Sequence, residues 1–154
     1  MHISNYQNSV LFKVKEIFPE KLYKIKSNYR PDFLKNPNTG KNLEIDIYIC
    51  EKSFKKSGGN YQQHRKYRFG IEIQGEQHFK HVPKFQNDVD SVQYRDTLKQ
   101  QLCKKVNFPI IEIFYSEINP ELDLILLIKE RVKTLPLQQQ KVMVKLLEKL
   151  QIQK

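Results

Sequence analysis

A chain of 154 residues, 39% hydrophobic and 29% charged, fits one domain with a sizeable core. No apolar run approaches the roughly 18 residues of a membrane span, the N-terminal stretch lacks the pattern of a secretory signal, and two cysteines without a CxxC pair argue against a thiolate zinc site or a disulfide framework. The formal charge of +10 points to a polyanionic partner; because the chain lacks Ala and Trp and is rich in Lys, Asn and Ile, where the charge sits tells more than its sum. An intracellular, reduced protein is expected, in cytoplasm or nucleus/nucleoid, with no membrane association.

Tyr6 to Phe18 carries Val10, Leu11, Val14, Ile17 and Phe18 at helical spacing, with Asn8 or Ser9 as cap and Pro19 beyond the end. Lys21 to Ser27 alternates apolar residues with lysines and reads as an edge strand. Pro, Asn and Gly enforce turns from Arg30 to Asn42. Leu43 to Cys50 is a strand, in which Leu43, Ile45, Ile47 and Ile49 alternate with Glu44, Asp46 and Tyr48. A basic loop follows from Glu51 to Arg68. A second strand starts at Phe69, with Phe69, Ile71 and Ile73 on one face and Gly70, Glu72 and Gln74 on the other. Gly75 lets the chain turn before His78.

Phe79 to Asp90 is read as a loop, and Ser91 to Val106 as a helix with Leu98, Leu102 and Val106 as its apolar stripe. Asp96 and Lys99 sit one turn apart, away from that stripe. Phe108 to Tyr115 is almost continuously apolar, as in a central strand covered on both faces. Asn119-Pro120-Glu121 has the cap, first-turn proline and early acid of a helix start, and the helix runs to about Thr134. Pro136 begins a last helix, which either packs on the core or forms a partner interface. The order of elements predicts an α/β (or α+β) layer fold around one mixed sheet, with no second domain in 1–154.

Acids are disfavoured in apolar strands, and two of them on facing strands repel. Asp46 and Glu72 therefore either face solvent separately or share a divalent cation. Mg²⁺ takes one or two carboxylates plus water and phosphate oxygens, with Mn²⁺ a possible substitute. Glu44 is an alternative ligand of lower rank. His78 has a pKa suited to taking a proton from water at neutral pH, and a zinc pair with His81 is the weaker alternative. Asp96 is placed to orient His78, its bland alternative being a surface ion pair with Lys99. Lys52, Lys55, Lys56, Arg65, Lys66 and Arg68 face one acid, Glu51, around Ser-Gly-Gly, with Tyr61 and Tyr67 interleaved. They form either a solvated loop or a grip on phosphates, to which Lys80 and Lys99 add.

LEIDIYI, IEIQGEQHF, YRDTLKQQLCKK and PIIEIFY together resemble the restriction-endonuclease-like PD-(D/E)XK superfamily, closest to the branch of very-short-patch repair endonucleases and phage-type homing endonucleases with an EDxHD pattern. The resemblance covers about Arg30 to Tyr115 and leaves the last two helices outside. It implies a Mg²⁺-dependent phosphodiesterase acting on nucleic acid, with a core of about 7–115 and helices at about 119–153 appended. Asp46 matches the metal-binding strand aspartate, Glu72 the acid of the D/E-x-K element, His78 the histidine of EDxHD and Asp96 its final acid. Gln74 falls where the superfamily usually has lysine, so His78, Lys80 or Lys99 has to compensate. The acid expected on the first helix is not evident; Leu11 or Phe12 occupies its place, with Glu16 a loose substitute. The expectation is a metal-dependent endonuclease, on DNA before RNA, as monomer or homodimer. The alternatives are a nucleic-acid-binding module of the same fold that has lost catalysis, and a protein-interaction domain working through the last helix.

Overall fold

A computed structural model describes residues 5–52, 67–75 and 86–152, with the side chains of 86–93, 151 and 152 excepted. The candidates Lys55, Lys56, Arg65, Lys66, His78, Lys80 and His81 lie outside the described residues, as does Tyr61. The chain is mixed α/β. Its elements are α1 (Asn5–Ile17), β1 (Tyr23–Tyr29), β2 (Ile45–Glu51), β3 (Arg68–Gln74), α2 (Gln86–Lys105), β4 (Ile110–Phe114), α3 (Leu124–Val132) and α4 (Leu137–Ile152). The sheet is open and ordered β1-β2-β3-β4. The first two pairings are antiparallel and β3 pairs with β4 in parallel, across the crossover made by α2.

Both sheet faces are covered, which explains why the strands carry two apolar sets. Ile47, Ile49, Phe69, Ile71, Ile111 and Ile113 pack with Val10 and Val14 of α1, Leu127 and Ile128 of α3, and Met143 and Leu146 of α4. On the other face Tyr48 and Cys50 meet Cys103 of α2, Phe108 and Leu34. Tyr48 is thus buried, where simple alternation in the sequence assigns it to the polar face. The last helix packs on the core through Met143, Leu146 and Leu150, and leaves Leu137 and Val144 exposed.

Several sequence expectations are corrected. The strand at 110–114 lies at the sheet edge, not at its centre, and its residues alternate between buried and half-buried. The Asn119-Pro120-Glu121 run forms a side-chain-capped turn, with the Glu121 N–H donating to Asn119 Oδ1 at 2.9 Å. The helix starts later, where Asp123 caps it by accepting from the Leu126 N–H. Neither Asn8 nor Ser9 caps α1; both lie inside it. Val106 is exposed beyond the end of α2. That end is a left-handed turn at Asn107 (φ 55), with the Phe108 N–H donating to the Cys103 carbonyl at 2.9 Å, and this directs Phe108 back under the sheet.

Gly70 is the position where the second face admits no side chain. A Cβ there would stand 2.9 Å from Ile45 Cγ2 and 3.0 Å from Phe108 Cε1. Phe108 in turn stacks on Tyr48, with ring centroids 5.9 Å apart and an interplanar angle of 9°. Gly70→Ala should therefore destabilise the protein by about 1–3 kcal/mol through overpacking, read as a lower midpoint in urea unfolding.

Candidate active site

The register brings three acids to the face covered by α2. Continuing the β2–β3 ladder one step past Ile47↔Ile71 sets Asp46 opposite Glu72, and the parallel pairing sets Glu72 beside Glu112. The β2–β3 ladder itself stops at Ile47. There the Asp46 carboxylate replaces a backbone carbonyl as acceptor, taking the Ile73 N–H on Oδ2 at 2.8 Å. The Asp46 N–H points at Glu72 Oε2, 3.4 Å away. The expected meeting of Asp46 and Glu72 is thus present.

Glu72 is 8% exposed. Burial pushes its carboxyl up to about 8; the Lys99 ammonium pulls it down, and the neighbouring Asp46 charge adds to the rise. Lys99 reaches down from α2 to Glu72 Oε1 at 2.5 Å. This corrects the view of Lys99 as a residue turned away from the apolar stripe. Leu98, Lys99, Leu102 and Cys103 all turn toward the sheet, and the aliphatic stem of the lysine is covered while its ammonium meets the acid. The Tyr94 hydroxyl accepts from Asn38 Nδ2 at 2.7 Å and ties the same helix to the 30–44 turn segment.

Gln7 was not foreseen. It is 7% exposed on α1, and its Nε2 donates to Asn28 Oδ1 at 2.9 Å and to the Asp46 carbonyl at 3.1 Å. Asn28 itself is left-handed (φ 50), so the amide clamps a kink in β1 and the backbone of the first site residue together. Gln7 is a buried polar residue of α1, one turn before Leu11. The signal was one glutamine on the helical stripe that includes Val10 and Val14. Leu11 is half-buried against the core, and Phe12 and Glu16 are exposed.

A cavity of about 490 Å³ opens beside the carboxylates, between α2, the β3–β4 edge and the α3–α4 turn. Glu72, Gln74, Asp96 and Lys99 all line it. Cys103 lines it too, but burial pushes its thiol up to about 12, which leaves it protonated and unreactive at neutral pH. Glu44 is engaged elsewhere, in an ion pair with Arg30 at 3.0 Å. Of the proposed phosphate contacts, Lys52 donates to the Glu20 carbonyl at 2.5 Å beyond the far end of β2, about 20 Å along the strand from Asp46. Arg68 lies over the Phe33 ring at 4.5 Å and 5.7 Å from the Phe108 ring centre, so it works there as a packing residue.

Among the described residues no group of three or more His, Cys, Asp or Glu is gathered to hold a metal ion, and no helix is long and apolar enough to cross a membrane. The two carboxylates do fit the donor set of Mg²⁺, which completes its shell with water and phosphate oxygens. Glu72 is buried beside the half-buried Asp46, and the Lys99 ammonium answers its charge.

No protein-family model and no solved structure matches the chain. Its relatives include three viral proteins. Over 115 residues it is 38% identical to the uncharacterized protein 307L of Invertebrate iridescent virus 6, covering 70% of this chain and 49% of that protein. Over 90 residues it is 34% identical to the uncharacterized protein 033L of Invertebrate iridescent virus 3, covering 56% and 39%. Over 85 residues it is 33% identical to the uncharacterized protein 094L of Frog virus 3 (isolate Goorha), covering 53% and 45%. The matched parts span less than half the length of each of these relatives.

The raised Glu72 carboxyl has a measurable consequence in metal-free buffer. The folded protein keeps a proton that the unfolded chain releases from about pH 4.5 upward. The resulting stabilisation is complete below pH 4.5 and is lost as pH rises through about 8. Urea unfolding of the parent minus that of Glu72→Gln should fall across this window, at up to about 1.4 kcal/mol per pH unit. A difference that stays flat across this window would mean that Lys99 keeps the carboxyl ionised throughout.

Proposed function

We propose that the protein is a metal-dependent phosphodiesterase of the restriction-endonuclease-like type, cutting nucleic acid and DNA by preference. The observation that carries this reading is the convergence of Asp46 and Lys99 on Glu72, which with Lys99 lines the cavity. The chain has Gln74 where the superfamily has its lysine, and Lys99 brings an ammonium to the same carboxylate from a helix instead of from the strand.

In this reading Asp46 and Glu72 hold Mg²⁺, which supplies Lewis acidity toward the phosphate and acidifies bound water. Ile73 and Gln7 lock Asp46 in place through its carboxylate and its carbonyl. Lys99 offsets the charge that accumulates on the phosphate oxygens as the water oxygen bonds to phosphorus and the bridging P–O bond breaks. Gln74 hydrogen-bonds the water or the phosphate. His78 accepts the proton released by the water, with Asp96 supporting it, and the departing oxygen is protonated from solvent. The +10 charge supports a polyanionic substrate.

Asp46→Asn keeps an acceptor for the Ile73 N–H while removing the charge. It should cut the rate of supercoiled-plasmid nicking in Mg²⁺ by about 100-fold or more and leave salt-sensitive DNA binding intact. Millimolar Mg²⁺ should raise the Tm of the parent but not of Asp46→Asn. Gln74 in place of the superfamily's lysine, with no acid evident at Leu11 or Phe12 of α1, favours a second reading, a binding module without catalysis. That module would bind DNA, give no nicking with either Mg²⁺ or Mn²⁺, and show no metal-dependent Tm.

A further inference from the structure

Glu112 is the acid on the α2 face of the sheet to which the proposed chemistry gives no task. The parallel register sets it beside Glu72 on the next strand, about 4.8 Å away between the backbones, and both line the cavity together with Lys99. Glu72 is buried and Glu112 half-buried. The Glu112 backbone carbonyl accepts from Arg131 Nε, but its carboxylate forms no hydrogen bond or ion pair with a described residue. Asp96, also in the lining, is already engaged.

Two neighbouring acids thus share one ammonium. Lys99 sits on Glu72 Oε1 at 2.5 Å, with both side chains largely covered, and leaves Glu112 unanswered. That allocation suits the site before a metal binds, because the more deeply buried carboxylate has the greater need of a counterion. A divalent ion on Glu72 reverses the need. The metal then answers the Glu72 charge, and an ammonium held on the same carboxyl group stands within a few ångströms of a double positive charge. The adjacent strand offers an unanswered carboxylate, Glu112. The flexible four-carbon stem of a lysine spans that step without any movement of α2.

We propose that Lys99 is an exchangeable counterion: it holds Glu72 while the site is without metal and passes to Glu112 when a divalent cation takes Glu72. Glu112 is then a positioning residue that acts through Lys99. The exchange also turns the ammonium away from the strand acid and toward the cavity, where it can meet a substrate phosphate. The proposal rests on the metal-binding reading of Asp46 and Glu72 above and adds how that site stays neutral before the metal arrives.

The test is Mg²⁺ titration of the full chain, followed by calorimetry and by the NMR signal of the Glu112 carboxyl carbon. Lys99→Met should tighten Mg²⁺ by about tenfold, and Glu112→Gln should weaken it by about fivefold. In the Lys99→Met background, Glu112→Gln should change the affinity by less than about twofold, because no ammonium is left for the carboxylate to receive. The Glu112 signal should move with Mg²⁺ in the parent and stay in place in Lys99→Met. A signal that moves in both, with an equal affinity effect in both backgrounds, would make Glu112 a metal ligand and overturn the exchange. A signal that stays in place in the parent means that Lys99 remains on Glu72, and overturns it too. Should Lys99→Met fold poorly, the Lys99 Cε signal serves instead: Mg²⁺ should move it to different end points in the parent and in Glu112→Gln, and a shared end point sinks the exchange. Mg²⁺ binding that is lost in Asp46→Asn but indifferent to Glu112 removes the exchange alone. No Mg²⁺ binding in either the parent or Lys99→Met removes the metal site itself.

Discussion

Two carboxyl groups pressed together under a helix are an electrostatic demand that the surrounding structure has to meet. At about 4 Å and a local dielectric near 20, two unit charges repel by roughly 4 kcal/mol, before the cost of taking them out of water. Asp46 meets the demand by accepting a strand amide, and Glu72 by meeting Lys99 and by holding its proton to higher pH. Each solution constrains a different element. The amide bond ends the β2–β3 ladder, the lysine sets how α2 lies on the sheet, and Gln7 ties α1 to the same backbone. A folded chain does not assemble that set of compensations for a solvent-facing pair of acids.

The fold places this demand beside open space. Because β4 is an edge strand and the chain returns over it through the α3–α4 turn, the α2 face of the sheet is closed at the β1–β2 side and open at the β4 side. The closed side is packed by aromatic rings: Tyr29, Tyr48, Phe33 and Phe108, with Arg68 laid over the last two. Gly70 is the hinge of that division, since only a residue without Cβ lets Phe108 and Ile45 close over the strand. One face thus carries a solid core at one end and a polar cavity at the other. The acids stand at their boundary.

The local patterns were enough to determine the elements that depend on short-range physics. Period-two alternation around Ile45–Ile49 and Phe69–Ile73 forces strands, the helical spacing of Val10 and Val14 forces α1, and the pairing of those strands follows from their shared apolar face. The same alternation put Asp46 and Glu72 on one side, which is why their meeting was legible before any coordinates. Other features depended on partners far away in the chain. Whether β4 is central or an edge rests on what no local window contains, namely another strand beside it. Asn119 and Asp123 both have cap chemistry, and packing of Leu124, Leu127 and Ile128 on the core selected the later one. Lys99 looked like a surface residue because a lysine off the apolar stripe ordinarily is one; only an acid buried 27 positions earlier turns it inward. Gln7 was hidden for the same reason. An amide is neutral and common, and its importance comes from burial and from which partner it finds or lacks, which tertiary structure alone decides.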